Sequence, residues 1–292
     1  MPLEFKRKFY FLRDPGKTSW KSLPELRLGW LQDTGNWETC LKNVQDEYFL
    51  NLSAGEGLAR TSWSVPLSAD SWQELWPSTE GCRLVSTLEL LVQSGKNFQI
   101  EHYGEPHAGL TTVSVVFAHQ QEARTWKVPR FFGPELTYDP RFQDKALAEI
   151  KTQVPLVPLG PHDTWAYGIL PFFLENKVPQ VVLVQTRNQE RWIFPKGQPE
   201  NGKSPAKVAL QEGREEAGIT GRILGHPIVL PYYRSAGTTN LLLYPVRVTR
   251  LADTWLEAAQ RERRVVPLAE AIFQDELIRG GALCLQDLYA GS

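Results

Sequence analysis

Apolar and polar residues alternate along several short runs in the first half of the chain. These runs cover residues 47–52, 84–92 and 110–117. A period of two is typical of strands that bury one face and expose the other. The first half is therefore predicted to consist mainly of antiparallel strands.

The second half carries more continuous apolar runs. They cover residues 167–173, 181–184, 228–230 and 241–248. A helix is expected between Ser204, which can cap its start, and Gly218, which suits a left-handed stop. A later helix is expected near 268–278. Strands flanked by helices on both sides predict an α/β/α sandwich with a mixed sheet.

Residues 151–161 read KTQVPLVPLGP and separate the two halves. Proline breaks helical and strand patterns, so this segment is predicted to be a linker. The fold class is then α+β with two domains, at 1–150 and 162–292.

The helix at 204–218 has an acidic face. At about 100° per residue, Glu212, Glu215 and Glu216 fall within one arc of roughly 100°. Like charges at these spacings destabilise a helix, and a hard divalent cation would neutralise them. The alternative is an acidic face solvated by water. Since Mg²⁺ binds through carboxylates and substrate phosphate oxygens, the metal interpretation predicts phosphate chemistry.

The segment around this helix has the order strand, loop, helix. The strand at 181–184 is followed by RWIFPKG at 191–197 and by a polar loop. This order resembles the Nudix family, whose box reads Gly, five residues, Glu, seven residues, Arg-Glu, an apolar residue, any residue, Glu-Glu, any residue, Gly, apolar. The matching positions are Gly197, Glu212, Glu215, Glu216, Gly218 and Ile219.

The resemblance implies a hydrolase that acts on phosphoanhydride bonds. It implies that Glu212, Glu215 and Glu216 hold Mg²⁺ or Mn²⁺ and serve catalysis, with Gly197 at the metal site. The metal is expected to activate water against a diphosphate linkage. The implied partner is a small-molecule substrate: a nucleotide, a dinucleoside polyphosphate or a compound like an inositol pyrophosphate.

Three box positions depart from the family pattern. Lys203 stands in place of the first Glu, Gln211 in place of the Arg, and Gly213 in place of the apolar residue. Gln211 can keep a neutral hydrogen bond, whereas the lost charged one is worth about ten- to a hundredfold in rate. We expect Lys203 to influence loop geometry or phosphate attraction, and the core acids to retain activity.

Further candidates flank the box. The segment Phe194-Pro-Lys-Gly197 resembles the Nudix branch that cleaves diphosphoinositol and dinucleoside polyphosphates. The predicted substrate-binding residues are Lys196, Lys203, Arg191 and Arg234. A general base from outside the box is expected at Glu257 or Glu262, and the alternative for both is a charged, exposed helix.

The two ends of the first half resemble the CYTH, or triphosphate tunnel, family. Residues 3–8 read LEFKRK, close to that family's alternating Glu-x-Glu-x-Lys strand, and residues 132–141 read FGPELTYDPR. Where the family alternates metal-binding acids, this chain has Ser114 followed by two valines. Candidate tunnel residues are Glu4, Lys6, Lys8, Arg60, Arg83 and Glu101. We expect a degenerate β-barrel retained for dimerisation or for binding a phosphorylated ligand.

Composition adds limits. The formal net charge of −1 gives no global field that favours nucleic acid or a membrane surface. Three cysteines without metal-ligand spacing fit a reducing compartment, and we expect a cytoplasmic protein, with a homodimer as one option. Three hypotheses therefore stand: a Nudix hydrolase, a non-catalytic nucleotide or polyphosphate sensor, and an inorganic triphosphatase in the first domain.

Overall fold

The computed structural model describes residues 3–11, 21–31, 37–93, 95–149, 165–188, 191–234 and 237–289. The chain divides into two compact units, Met1–Val157 and Pro158–Ser292. The predicted linker at 151–161 lies outside the described residues. Among the described residues, no helix is long and apolar enough to span a membrane.

The first unit contains nine strands and three short α-helices among its described residues. They are β1 Leu3–Phe11, β2 Lys21–Trp30, β3 Glu38–Val44, β4 Glu47–Ala54, β5 Ala59–Leu67, α1 Ala69–Leu75, β6 Arg83–Gln93, β7 Lys96–Tyr103, β8 Thr111–Phe117, α2 Gln120–Thr125, β9 Phe132–Glu135 and α3 Asp144–Glu149. The three predicted runs of alternating residues all fall in or at strands.

Eight of these strands close into an antiparallel barrel, which confirms the predicted fold of this unit. The ring runs β1, β5, β4, β3, β2, β6, β7, β8 and back to β1. β9 adds to β1 through the pair Phe9 and Glu135. Closure leaves β1 paired along both edges, so residues of β1 alternate between the interior and the outside of the barrel.

The second unit alternates strands with helices. Its described elements are β10 Trp165–Glu175, β11 Val178–Gln185, β12 Trp192–Ile193, β13 Lys196–Gly197, α4 Pro205–Ala217, β14 Ile219–Ile223, β15 Ile228–Arg234, β16 Gly237–Leu251, β17 Arg263–Pro267, α5 Leu268–Ala271 and α6 Glu276–Leu288. β10 runs parallel to β16 and antiparallel to β11 and β13, so the sheet is mixed.

Two neighbouring residues of β10 show that helices cover both faces of this sheet. A Cβ at Gly213 of α4 would overlap the side chain of Ile169, and a Cβ at Gly281 of α6 would meet that of Leu170. Successive strand residues point to opposite faces, so α4 and α6 lie on opposite sides. The predicted α/β/α sandwich is confirmed.

The predicted late helix at 268–278 is wrong in extent. The structure has a one-turn helix, α5, and then a separate α6 that continues to Leu288. Asp275 causes the interruption, because its side chain caps α6 by accepting a hydrogen bond from Ile278 N–H at 3.1 Å.

Candidate active site

The box helix begins and ends where the sequence predicts. Ser204 occupies the N-cap position, Pro205 is the first helical residue, and Gly218 ends the helix with φ of 64°. Ser204 makes no side-chain cap bond, so its contribution is its extended backbone. Small residues let α4 approach the sheet, which explains why Gly213 stands where the family pattern has an apolar residue.

Gly197 lies directly beside the acidic face. It pairs with Tyr167 in the sheet, and a Cβ at Gly197 would overlap the Glu212 carboxylate. A residue without a side chain is therefore required for Glu212 to occupy its position. This contact explains the pairing of Gly197 with Glu212 in the box.

Glu216 is the most buried of the three box glutamates, with 2% of its surface exposed. Its Oε2 accepts a hydrogen bond from the backbone N–H of Lys196 at 2.9 Å. Its Oε1 forms an ion pair with Arg261 at 2.7 Å. Both carboxylate oxygens are thus fixed in direction.

Arg261 connects Glu216 to Glu257, one of the predicted bases. Its Nε donates to Glu257 at 2.6 Å, and Arg187 donates to the other oxygen of Glu257 at 2.7 Å. Neither Arg187 nor Arg261 was predicted as a site residue from the sequence. The spacing of Glu257 and Arg261 by four residues was an available signal, whereas Arg187 comes from a distant loop.

Glu262, the other predicted base, has an exposed side chain. Within the described ranges, no side-chain hydrogen bond or ion pair joins it to the box. The structure therefore brings Glu257, and not Glu262, into the network around the box helix.

Glu215 belongs to a separate chain of hydrogen bonds. Gln211 Nε2 donates to Glu215 Oε1 at 3.0 Å, and Lys203 Nζ donates to Gln211 Oε1 at 2.6 Å. Lys203 also pairs with Glu200 at 2.6 Å. The expected neutral hydrogen bond of Gln211 is present, and Lys203 is engaged with protein groups.

The other three predicted substrate-binding residues surround one aromatic ring. Lys196 Nζ and Arg191 Cζ each lie 5.0 Å from the centroid of Tyr232, and Arg234 Cζ lies at 6.0 Å. Arg191 also donates to the Tyr232 hydroxyl at 3.2 Å, and Arg234 donates to Thr239 at 2.5 Å. We call Lys196, Arg191, Arg234 and Tyr232 the Tyr232 cluster.

In the first unit, the predicted tunnel cations converge. Lys6, Lys8 and Arg60 line a cavity of about 50 Å³ together with Asp144. Lys8 pairs with Asp144 at 2.7 Å, and Arg60 donates to Gln143 at 2.7 Å. The cavity is therefore mainly cationic.

The remaining predicted tunnel residues lie apart from this cavity. Glu101 is buried and accepts hydrogen bonds from Ser86 at 2.6 Å and Tyr103 at 3.1 Å. Arg83 packs over Trp76 at 4.5 Å, and Glu4 is exposed on β1. Neither Glu4 nor Glu101 lines the cavity.

Comparisons with known proteins match the two units of the chain separately. The NUDIX domain model matches residues 164–283. An inorganic triphosphatase of Nitrosomonas europaea is 32% identical over 125 residues, which are 42% of this chain and 83% of that protein. Nudix hydrolase 4 of Arabidopsis thaliana is 35% identical over 101 residues, 34% of this chain and 48% of that protein.

The chain joins a triphosphate tunnel domain to a Nudix domain. A crystal structure of an inorganic triphosphatase covers 52% of this chain and 98% of its own, at 28% identity and a TM-score of 0.42. The chain spans about half the length of the plant Nudix relative. The NUDIX domain model and the Nudix hydrolases among these relatives support a hydrolase that acts on phosphoanhydride bonds.

The electrostatics of the Nudix helix suit a cation. Burial, followed by the charges of Glu216 and Glu215, raises the pKa of Glu212 to about 7. Burial also raises the pKa of Glu216, although Arg261 opposes this. At Glu257, hydrogen bonds from Arg187 and Arg261 outweigh burial and lower the pKa.

Nudix hydrolases use divalent metals, and the donor set here fits one. Among the described residues, no three His, Cys, Asp or Glu side chains converge as a ready metal cage. At the Nudix helix, Arg261 and Gln211 draw carboxylate oxygens of Glu216 and Glu215 aside. Burial, followed by the charges of Glu216 and Glu215, disfavours the ionised form of Glu212, and a hard cation with oxygen ligands would offset this.

Proposed function

We propose that the chain is a Mg²⁺-dependent Nudix pyrophosphohydrolase of a polyphosphate-rich small molecule, of the dinucleoside polyphosphate or inositol pyrophosphate class. One residue carries the proposal. The backbone of Lys196 donates to Glu216, while its side chain belongs to the Tyr232 cluster. The carboxylate face and a group of three cations are therefore adjacent, as a substrate with several phosphates requires.

In the proposed mechanism, Glu212, Glu215 and Glu216 hold Mg²⁺, with Gly197 leaving room for Glu212. Bound Mg²⁺ supplies a water of lowered pKa and polarises a phosphoryl oxygen. The cations of the Tyr232 cluster bind and orient the phosphates beside the scissile linkage.

Glu257 has a positioning role in this mechanism. Its carboxylate accepts from two arginines, which lower its pKa and weaken it as a proton acceptor. We infer that Glu257 holds Arg261 against Glu216. The proton acceptor is then one of the box glutamates.

The test is phosphate release by the full-length protein with Mg²⁺. The panel contains dinucleoside polyphosphates, diphosphoinositol polyphosphates, nucleotide sugars, nucleoside triphosphates and tripolyphosphate. Glu216→Gln should abolish turnover of one phosphoanhydride class, and Glu270→Gln, an exposed glutamate of α5, should keep it. Turnover that survives Glu216→Gln would contradict the proposal, and Mg²⁺-nucleotide binding without turnover would favour a sensor.

A second function is favoured by the cationic cavity of the first unit. The Nitrosomonas europaea relative is named an inorganic triphosphatase, and Lys6, Lys8 and Arg60 give this chain a site for a polyanion. We propose that the tunnel binds tripolyphosphate. Calorimetry should show binding to the full-length protein that Lys6→Ala weakens and that Lys127→Ala, a change at an exposed position outside the strands, leaves intact.

A further inference from the structure

The two polar departures from the family box contact each other. Lys203 stands where the family has Glu, and Gln211 stands where it has Arg. Their side chains meet at 2.6 Å, and Gln211 in turn donates to Glu215 at 3.0 Å. The two departures therefore act on the same carboxylate, one directly and one through its neighbour.

Lys203 determines which end of the Gln211 amide faces Glu215. A lysine ammonium only donates hydrogen bonds, so it requires the amide oxygen of Gln211. The amide NH₂ then remains for Glu215, which only accepts when ionised. A glutamate at 203 would instead take the NH₂ and turn the amide oxygen towards Glu215, where two acceptors repel each other.

Lys203 is itself held in place. Glu200 pairs with it at 2.6 Å, and its side chain is 39% exposed. Glu200 and Gln211 both accept hydrogen bonds from the Lys203 ammonium group, so Glu200 holds this group towards Gln211. The chain Glu200, Lys203, Gln211, Glu215 thus connects the loop to the acidic face of α4.

We propose that Lys203 and Gln211 are a positioning pair for Glu215, replacing the Glu and Arg of the family box as one unit. The inference rests on the proposed function, since Glu215 is assigned there to the metal. Lys203 positions the amide and Gln211 positions the carboxylate. Lys203 is accordingly a positioning residue.

The test is a double-mutant cycle with two measurements, Mn²⁺ affinity by electron paramagnetic resonance and kcat. Lys203→Glu should weaken Mn²⁺ binding and lower kcat by about ten- to a hundredfold, the worth of a hydrogen bond to a charged group. Adding Gln211→Arg to Lys203→Glu restores the family pair and should bring both values to within about threefold of wild type.

Lys207→Glu is the matched control, because it makes the same charge change at a nearby exposed position, in the first turn of α4. Equal effects of Lys203→Glu and Lys207→Glu, or a double variant as poor as Lys203→Glu, would overturn the positioning pair. Thermal unfolding by circular dichroism identifies any loss due to misfolding. In that case Lys203→Gln, which keeps a donor, should bind Mn²⁺ better than Lys203→Glu, and equal binding would also overturn the pair.

The same cycle separates this inference from the proposed function. Wild-type Mn²⁺ binding with intact coupling but no turnover of any substrate would remove the catalytic proposal and leave the positioning pair. Absence of Mn²⁺ binding by wild type would overturn both.

Discussion

Both units contain carboxylates that are at least half-buried, but the groups around them differ. In the barrel, Glu135 is fully buried and receives Arg7 through two donors, at 2.9 and 2.6 Å, and Thr137 at 2.8 Å. In the Nudix unit, Glu212 is half-buried, and burial, followed by the charges of Glu216 and Glu215, raises its pKa to about 7. Glu135 therefore stabilises the fold, whereas Glu212 would accept an external cation in the proposed function.

The barrel extends this pattern. Asp139 is buried and paired with Arg141 at 2.6 Å. Burial opposes the ionisation of Asp144, but the charges of Lys8 and Lys6 lower its pKa. Glu135, Asp139 and Asp144 therefore each face a cation of their own unit.

The largest expected effect is at Glu212. Replacing it with Gln removes a charge from the proposed metal site, and kcat should fall by more than about a thousandfold, since metal catalysis is worth several kcal/mol. Steady-state phosphate release at saturating Mg²⁺ measures this. The unfolding midpoint should stay equal or rise, because a like-charge repulsion is lost. A near-normal kcat would contradict the proposed difference between Glu212 and the acids of the barrel.

Glu135→Gln should give the opposite result. It leaves the Arg7 guanidinium buried without its ion pair, at a cost of about 3–5 kcal/mol in the free energy of unfolding. Denaturant unfolding of the full-length protein measures this cost. The kcat of the folded fraction at the Nudix site should remain unchanged, and stability equal to wild type would contradict a structural role.

Arg261 should give an intermediate effect. Arg261→Gln removes the ion pairs that Arg261 makes with Glu216 and Glu257. Such supporting residues typically contribute 10- to 100-fold in metal affinity or activity. Mn²⁺ titration and kcat/KM report the loss. Arg264→Gln is the control, since Arg264 lies in the same basic run but is exposed and stacks near Trp192. Equal behaviour of the two variants would argue against the network.

The smallest effect is on pH dependence. Glu212 is protonated below about pH 7 in the metal-free protein, so a metal ion must displace that proton. Apparent Mn²⁺ affinity should therefore rise by up to about tenfold per pH unit below 7 and level off above it. Folding raises the pKa of Glu212 above its value in the unfolded chain. Glu212 therefore stabilises the metal-free folded state fully below the unfolded pKa, and this contribution is lost as pH rises through about 7. A flat profile between pH 5 and 8 would contradict the raised pKa.

The sequence predicts the Nudix helix well because its signals are local. Ser204, Pro205 and Gly218 mark the two ends of a single helix, and the three glutamates follow from spacing alone. Gly213 could be placed on a stripe of small residues, but its contact with Ile169 depends on the sheet.

Contacts between distant segments could not be predicted in this way. Arg187 and Arg261 are 74 residues apart, yet both bind Glu257. Lys203 is predicted to influence loop geometry or phosphate attraction, and only the packing of the loop on the helix shows that Glu200 and Gln211 accept hydrogen bonds from it. Closure of the barrel likewise depends on the pairing of β1 with both β5 and β8, which no local pattern specifies.

The backbone and the side chain of Lys196 make separate contacts. Its backbone N–H holds Glu216, and any residue except proline supplies that donor. Its side chain, which points to the Tyr232 ring, can be exchanged without disturbing this bond. Under the proposed function, a different side chain at this position would change phosphate binding while the carboxylate of Glu216 stays in place.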